Sequence, residues 1–317
     1  MENTGARHAP KAQAIERLRP RSKAHVKGYK AQPLKRVYIP KKNGKLRSLG
    51  IPTMLDRAQQ ALHWLGLDPI AETLQDPNSY GFRRGRSCAD AIEQVFNVFG
   101  KKNRPRYALE GDIKACFDRI SHEWMLAHIP TDKKKLKQWL KAGYVEAQAF
   151  HATDEGTPQG GIISPVLANL TLDGMERMLR EAYPADSAAQ RRARVNLIRY
   201  ADDFVVSGSS REVLEQEVRP MIENFLRERG LELSKEKTVI TGIEEGFDFL
   251  GFNVRVRADK LFITPSKASI GQVIEKVRRM VKAHQGSSAG ELIVQLNPLL
   301  RGWCQYLLKL HQGIGAK

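Results

Sequence analysis

Residues 196–208 read NLIRYADDFVVSG, so two apolar runs meet at Ala201-Asp202-Asp203, where a tight turn would ordinarily carry Asn-Gly. Apolar arms around a short polar turn predict a core hairpin. Two ionised carboxylates a few ångströms apart repel strongly in a low-dielectric site, and such a hairpin keeps them only if a cation compensates. A divalent metal suits the residue types: Mg²⁺ takes hard oxygen ligands, keeps several waters and completes its shell with substrate phosphates. A third acid would complete a two-metal arrangement, one ion activating a 3′-hydroxyl and the other stabilising a departing pyrophosphate. Asp112 is the first candidate, because it ends an apolar strand in ALEGDIKACF as the Asp pair ends VNLIRY. Asp118 competes, but strand parity puts it on the face of Asp112 only if the strand continues, and Ser121 reads as the N-cap of a following helix.

Charge gives an independent constraint. The chain has 317 residues and a net charge of +17, unevenly placed. Residues 1–47 hold 14 Lys/Arg against two acids, residues 255–317 hold 11 against three, and the centre is slightly acidic. Two basic ends around an acidic centre imply a polyanion held from both sides while carboxylates act between. Cys88, Cys116 and Cys304 are odd in number and never form a C-x-x-C pair, which argues against a disulfide framework or a Cys zinc site and fits a reduced, cytoplasmic setting. No apolar stretch approaches bilayer length, and MENTGARHAPKAQ lacks the apolar core of a signal peptide.

Along the chain, residues 1–33 read as a basic arm. PLKRVYIPKKNGKLRSLGIP predicts a basic hairpin turning at Lys42-Asn43-Gly44. DRAQQALHWLGLDPIAETL places Ala58, Ala61, Leu62 and Leu65 at helical spacing, and a Gly/Pro loop, GTPQGG, feeds a long helix through ISPVLANLTLDGMERML. GLELSKEKTVI and FDFLGFNVRV add strands, and residues 267–310 predict two helices parted by HQGSSAG. In SIGQVIEKVRRMV the stripe Ile270, Val273, Ile274, Val277, Met280 and Val281 should pack under Leu296, Leu300 and Trp303. Strands and helices mix without βαβ alternation, which gives an α+β class.

YADD between apolar strands, GDIKACFD upstream, GTPQGGIISPVLANL between them, then GLELSKEKT and FDFLGF, in this order, resemble the reverse transcriptase of group II introns. RVYIPKKNGKLRSLGIP and DPNSYGFRRGRSCADAI extend the resemblance over residues 30–307. It implies a right-hand polymerase with fingers (34–106), a palm (107–262) carrying a fingers insertion at about 123–160, and a partial helical thumb (263–317). It also implies two Mg²⁺ ions on Asp112, Asp202 and Asp203, an RNA template, a DNA or RNA primer, and dNTPs.

Other positions carry over by the same match. Phe117 falls where an aromatic beneath the incoming sugar would clash with a 2′-hydroxyl. Gln159 resembles the residue contacting the incoming nucleotide, and Gly160 and Gly161 would let backbone approach the template pair. Lys42 and Arg47 match positions that hold the triphosphate. Lys237 resembles a lysine near the leaving pyrophosphate, with Lys235 close enough to be mistaken for it. Phe249-Leu250-Gly251 look like a primer grip. The Lys133-Lys134-Lys135 run and Lys137 read as a solvated helix face open to RNA, while His122 and His128 are too far apart for a zinc pair and take no role. The arm before Pro33 is short for the family and its thumbs continue past LNPLLRGWCQY, so the expectation is a weakly gripping polymerase. A maturase-like RNA chaperone, or a remnant without useful polymerase activity, is the reading from the other class.

Overall fold

The described residues of the computed structural model are 28–40, 44 and 46–314, with side chains through 307. Most of the basic arm, together with Lys42 and Asn43 of the expected turn, lies outside them. In chain order they begin with β1 (Leu34–Pro40), β2 (Leu46–Ile51), α1 (Met54–Leu74), α2 (Cys88–Phe99) and β3 (Tyr107–Asp112). Next come α3 (Cys116–Arg119), α4 (His122–His128), α5 (Lys133–Leu140), β4 (Tyr144–Glu146), β5 (Ala149–His151), α6 (Ser164–Leu172), α7 (Met175–Ala182) and α8 (Ala188–Ala193). β6 (Asn196–Tyr200) and β7 (Asp203–Gly208) lead through a π-helical turn (Val213–Val218) into α9 (Arg219–Arg227). The chain closes with β8 (Val239–Gly242), β9 (Phe247–Phe249), β10 (Phe252–Arg257), β11 (Lys260–Pro265), α10 (Lys267–Ala283) and α11 (Ala289–Ile314). This is the expected α+β mixture, and no helix among the described residues is long and apolar enough to cross a membrane.

Two compact units are present. The first takes its described residues from Met1–Gln75, Lys114–Asp173 and Phe225–Glu232. Its sheet runs β2-β1-β4-β5, antiparallel except for the β1–β4 pair. The helix expected over 56–74 forms, with Thr53 as N-cap accepting from Asp56 N. The apolar residues at helical spacing are not its buried face: Leu62 and Leu65 are 57% and 55% exposed, while Asp56, Gln59, Gln60, Leu67 and Ala71 are buried. Distant partners satisfy that polar face. Asp56 accepts from Tyr29 Oη at 2.6 Å, and Gln60 Oε1 accepts from Ile162 N at 2.9 Å. Ser121 caps α4 as its sequence position implied, accepting from Trp124 N at 3.2 Å.

The second unit takes Asp76–Ile113, Gly174–Asn224 and Leu233–Lys317. One sheet has the order β6-β7-β3-β8, all antiparallel, and a smaller one the order β11-β10-β9. Helix α2 buries Ala91, Ile92, Val95 and Phe99 against Ile198, Val205, Phe247 and Val254. The single long helix expected after the GTPQGG loop is instead two. Gly174 takes φ +94, a conformation helices do not continue through, and Asp76 accepts from Gly174 N and Glu176 N at 3.0 Å each to start α7. Helices α10 and α11 form as predicted, but α10 buries no residue, and Leu300, expected to cover its stripe, is 40% exposed.

Within β3, register depends on a missing side chain. Gly111 pairs with Phe204, and a Cβ on Gly111 would lie 2.1 Å from the Phe204 ring, which is itself 1% exposed. Gly111→Ala should therefore destabilise the protein by about 3 kcal/mol, as overpacking a closed core does. Adding Phe204→Leu should recover part of that loss in a denaturant-melt double-mutant cycle, and strictly additive losses would show that the two positions do not compete for space.

Candidate active site

β3 ends at Asp112, and antiparallel register sets Asp112 directly opposite Asp203, the first residue of β7. Opposed positions on neighbouring strands hold their Cβ atoms about 5 Å apart, so like charges there repel. Tyr200 pairs with Asp203 to close the β6–β7 hairpin over a two-residue loop, Ala201-Asp202. Ala201 has φ +58, which costs a residue with a Cβ about 1 kcal/mol or more.

Neighbours hold that loop in place. Arg199 N donates to Asn78 O and Tyr80 N to Arg199 O, both at 2.9 Å, laying residues 78–80 beside the end of β6. Gly81 follows, and a Cβ there would sit 2.3 Å from Ala201 N, so only glycine lets the backbone come this close. The Arg199 side chain is wholly buried and donates from an Nη to Ala201 O at 3.1 Å.

The carboxylates respond to the crowding. The Asp203 pKa is pushed up to about 6 by burial first, then by the charges of Asp202 and Asp112, with Lys237 opposing. Asp203 keeps accessible surface even though atoms crowd its carboxyl, so a cation can still reach it. Lys237 Nζ lies 3.0 Å from each oxygen of Asp112. Ser234 N donates to Asp112 O at 2.8 Å and Lys237 N to Ser234 O at 3.2 Å, a turn that places Lys237 on the acid. With Asp112 facing that ammonium group, no three Asp, Glu, His or Cys side chains among the described residues are gathered in metal-ligand geometry. Asp118 lies beyond the end of β3, on α3, as the parity argument required.

Phe249 and Phe252 close a second hairpin over Leu250-Gly251, with φ +50 and +83. Tyr306 Oη of α11 donates to Leu250 O at 2.8 Å and Ser266 N to Gly251 O at 2.9 Å, fixing the strained loop from outside.

The remaining predicted positions belong to the first unit. Phe117 and Gln159 line one cavity of about 190 Å³ together with Arg36, Ser48 and Gly50. Gly160 needs its glycine: φ is +120, and a Cβ would be 2.9 Å from Gly50 O. The loop carrying it is pinned by Gly50 N to Gln159 O at 2.8 Å and Thr157 N to Phe117 O at 2.6 Å. His122, given no role from sequence, is buried with Nε2 2.7 Å from Gly156 O; burial lowers its pKa, so the neutral ring donates there and secures the loop.

Strand alternation separates the cations of the β1–β2 hairpin. Arg47 pairs with Ile39, whereas Arg36 pairs with Gly50 on the opposite face, the one lining the cavity. Arg36, which the motif reading passed over, lies 3.6 Å above the Tyr144 ring. The alternation of RVYIP carried that signal. Lys42 lies outside the described residues.

Comparison with known proteins bears on this geometry. The family described as reverse transcriptase (RNA-dependent DNA polymerase) matches residues 39–254, and the group II intron, maturase-specific domain matches residues 270–308. The chain is 33% identical over 292 residues to the group II intron-encoded protein LtrA of Lactococcus lactis subsp. cremoris, covering 72% of this chain and 48% of that protein. It is 35% identical over 257 residues to the protein YkfC of Escherichia coli K12, covering 70% and 67%. The chain thus matches about half the length of the first relative. A solved structure of apo telomerase from Candida tropicalis, truncated from its C-terminal domain, superposes with a TM-score of 0.56 at 18% identity over 73% of this chain and 55% of that one. That likeness gives the fold, a right-hand polymerase. With most of its length matched by the first family and its α10–α11 region by the second, the chain belongs to the reverse transcriptases of the group II intron maturase type.

Proposed function

We propose that the protein is an RNA-directed DNA polymerase that adds dNTPs to a primer 3′-hydroxyl on an RNA template. The observation that carries this reading is the register of β3 on β7, which sets Asp112 opposite Asp203 beside a turn bearing Asp202. Burial, together with the charges of Asp202 and Asp112, raises the Asp203 pKa to about 6, which leaves hard-oxygen donors short of positive charge, and divalent ions such as Mg²⁺ would fit that chemistry once the side chains turn towards them. Two such ions, when bound, would supply Lewis-acid activation of the 3′-hydroxyl and charge relief at the leaving pyrophosphate.

The chain's own residues then divide the work. Asp112, Asp202 and Asp203 hold the positive charge. Lys237, already drawn to the acidic cluster by Asp112, keeps a proton on Nζ for the departing pyrophosphate. Arg47 and Lys42 bind the triphosphate, Gln159 and the Gly160 backbone meet the incoming nucleotide, and the Phe117 ring occupies the space a 2′-hydroxyl would need. On this reading residues 34–106 act as fingers, 107–262 as palm with an insertion at about 123–160, and 263–317 as thumb. The free cysteines fit a cytoplasmic setting. The match of residues 270–308 to the maturase-specific domain favours a second reading, an RNA-binding maturase without polymerisation. RNA binding by a wild-type protein inert in primer extension would select it.

Asp202→Asn should lower primer extension on an RNA template by about 10⁴-fold, the scale of losing a residue that acts within a catalytic unit, while RNA affinity stays or improves. Extension at the wild-type rate refutes the metal assignment. Phe117→Ala should move the ratio of ribo- to deoxynucleotide incorporation upward by about tenfold or more, and a fixed ratio would return Phe117 to the core.

Charge crowding makes a separate prediction in stability. Asp203 has a folded pKa of about 6 against its ordinary value of 3.8, so the folded state holds its proton more tightly. Its contribution is fully present below pH 3.8 and is lost as pH rises through about 6. In chelator, Asp203→Asn should raise the thermal midpoint at pH 8, with a gain that shrinks towards pH 4; added Mg²⁺ should reverse the order at pH 8. A midpoint difference indifferent to both pH and Mg²⁺ would mean that the acids do not share a field.

A further inference from the structure

The lysine-rich helix α5 and the segment before β1 enclose a groove of about 730 Å³ that the polymerase reading leaves unused. It is lined by Lys30, Lys134, Lys137, Lys141, Gln138 and Phe150 among others, and no carboxylate is among its lining residues. Lys134, Lys137 and Lys141 recur at one-turn intervals, on one face of the helix and its C-cap. The nearest helix-capping acid is already engaged, since Asp132 accepts from Lys134 N and Lys135 N.

The groove is built rather than incidental. Its far wall, residues 29–34, is held by a half-buried chain of bonds: Trp139 Nε1 donates to Tyr29 Oη at 2.7 Å, and Tyr29 Oη donates to Asp56. Ala31 N donates to Gln138 Oε1 at 3.1 Å, and Leu34 N to Gly143 O at 2.9 Å. Lys30 is thereby fixed across from the α5 lysines. At one end stands Phe150 on β5, 59% exposed. A Cβ on Gly143 would lie 2.5 Å from two Phe150 ring carbons, so Gly143, at φ +66, is the residue that gives the aromatic room against the loop.

We propose that this groove holds an unpaired segment of RNA, with the four ammonium groups on successive phosphates and a base stacked on Phe150. An aligned row of cations beside an exposed ring is the combination by which proteins bind single strands: backbone charge gives the affinity and stacking demands a free base face. A duplex offers the phosphates but not the base. An acidic peptide would use the lysines and leave Phe150 exposed. The choice of RNA over DNA rests on the function proposed above; the groove itself does not.

The test is fluorescence anisotropy of the intact protein with a labelled 12-nucleotide unpaired RNA, in chelator and without dNTPs, over a series of salt concentrations. Lys134→Gln/Lys137→Gln should weaken binding about tenfold at physiological salt and flatten the log–log salt slope by about 1.4, at 0.7 per phosphate contact on a single strand. Phe150→Ala should weaken it about fivefold with the slope unchanged, and Phe150→Tyr should bind like wild type. Circular dichroism melts of each variant guard against misfolding. Unchanged affinity in both loss variants overturns the proposal, and so does an equal loss on blunt duplex RNA. Tighter binding of unpaired DNA of the same sequence overturns the assignment to RNA. Because the assay needs neither metal nor catalysis, Asp202→Asn should bind like wild type, and a failed primer extension leaves this result standing.

Discussion

The pairing of Asp112 with Asp203 across β3 and β7 organises the second unit of this protein. A sheet gains nothing from opposing two carboxylates, and their repulsion works against the strand pair that contains them. What keeps the pair is the apolar ladder behind it. Leu109 faces Val206 and Ala108 faces Ser207, all nearly or wholly buried, and Gly111 leaves room for Phe204. A one-residue slip would drive the Phe204 ring against a side chain and turn the apolar set outward. The core therefore fixes the spacing of the acids, and the acids' need for positive charge is left for a ligand to meet.

Both loops bearing proposed functional positions in that unit are strained, and both are held from outside their own hairpins. Ala201 is kept at positive φ by the close approach of Gly81 and by the buried Arg199 guanidinium. Leu250 is kept there by the Tyr306 hydroxyl. Backbone held this way cannot relax when charge or substrate arrives, and that suits a site whose chemistry depends on fixed spacing.

The carboxylate positions were legible in the sequence because two apolar strands stop at them, and the end of the strand before Ser121 set Asp112 apart from Asp118. The preference for Lys237 over Lys235 rested on the resemblance alone: both lie in one turn, and the hydrogen bonds of Ser234 are what direct Lys237 to Asp112. The buried face of α1 was not legible for a different reason. Periodicity counts apolar residues, yet Asp56 and Gln60 are buried by partners 27 and 102 positions away, a separation no local pattern encodes. Arg199 was hidden likewise, a charge inside an apolar strand whose partner is its own turn.

Where each cation finds its counter-charge separates scaffold from site. Arg192 on Glu217, Arg180 on Glu176, and Lys114 and Arg119 on Glu232 are spent on the fold, mostly at exposed positions where each pair contributes about 1 kcal/mol or less. Lys237 is paired with an acid of the proposed site, so on that proposal a ligand taking over Asp112 would free its ammonium group for a phosphate. Lys134, Lys137 and Lys141 have no ion pair among the described residues and line one wall of a groove without acids, with Lys30 on the other. Like charges along one groove raise the energy of the empty groove, and a polyanion relieves it more fully than dissolved salt does; the excess positive charge of the chain is in that sense directional, placed where the fold leaves it unanswered.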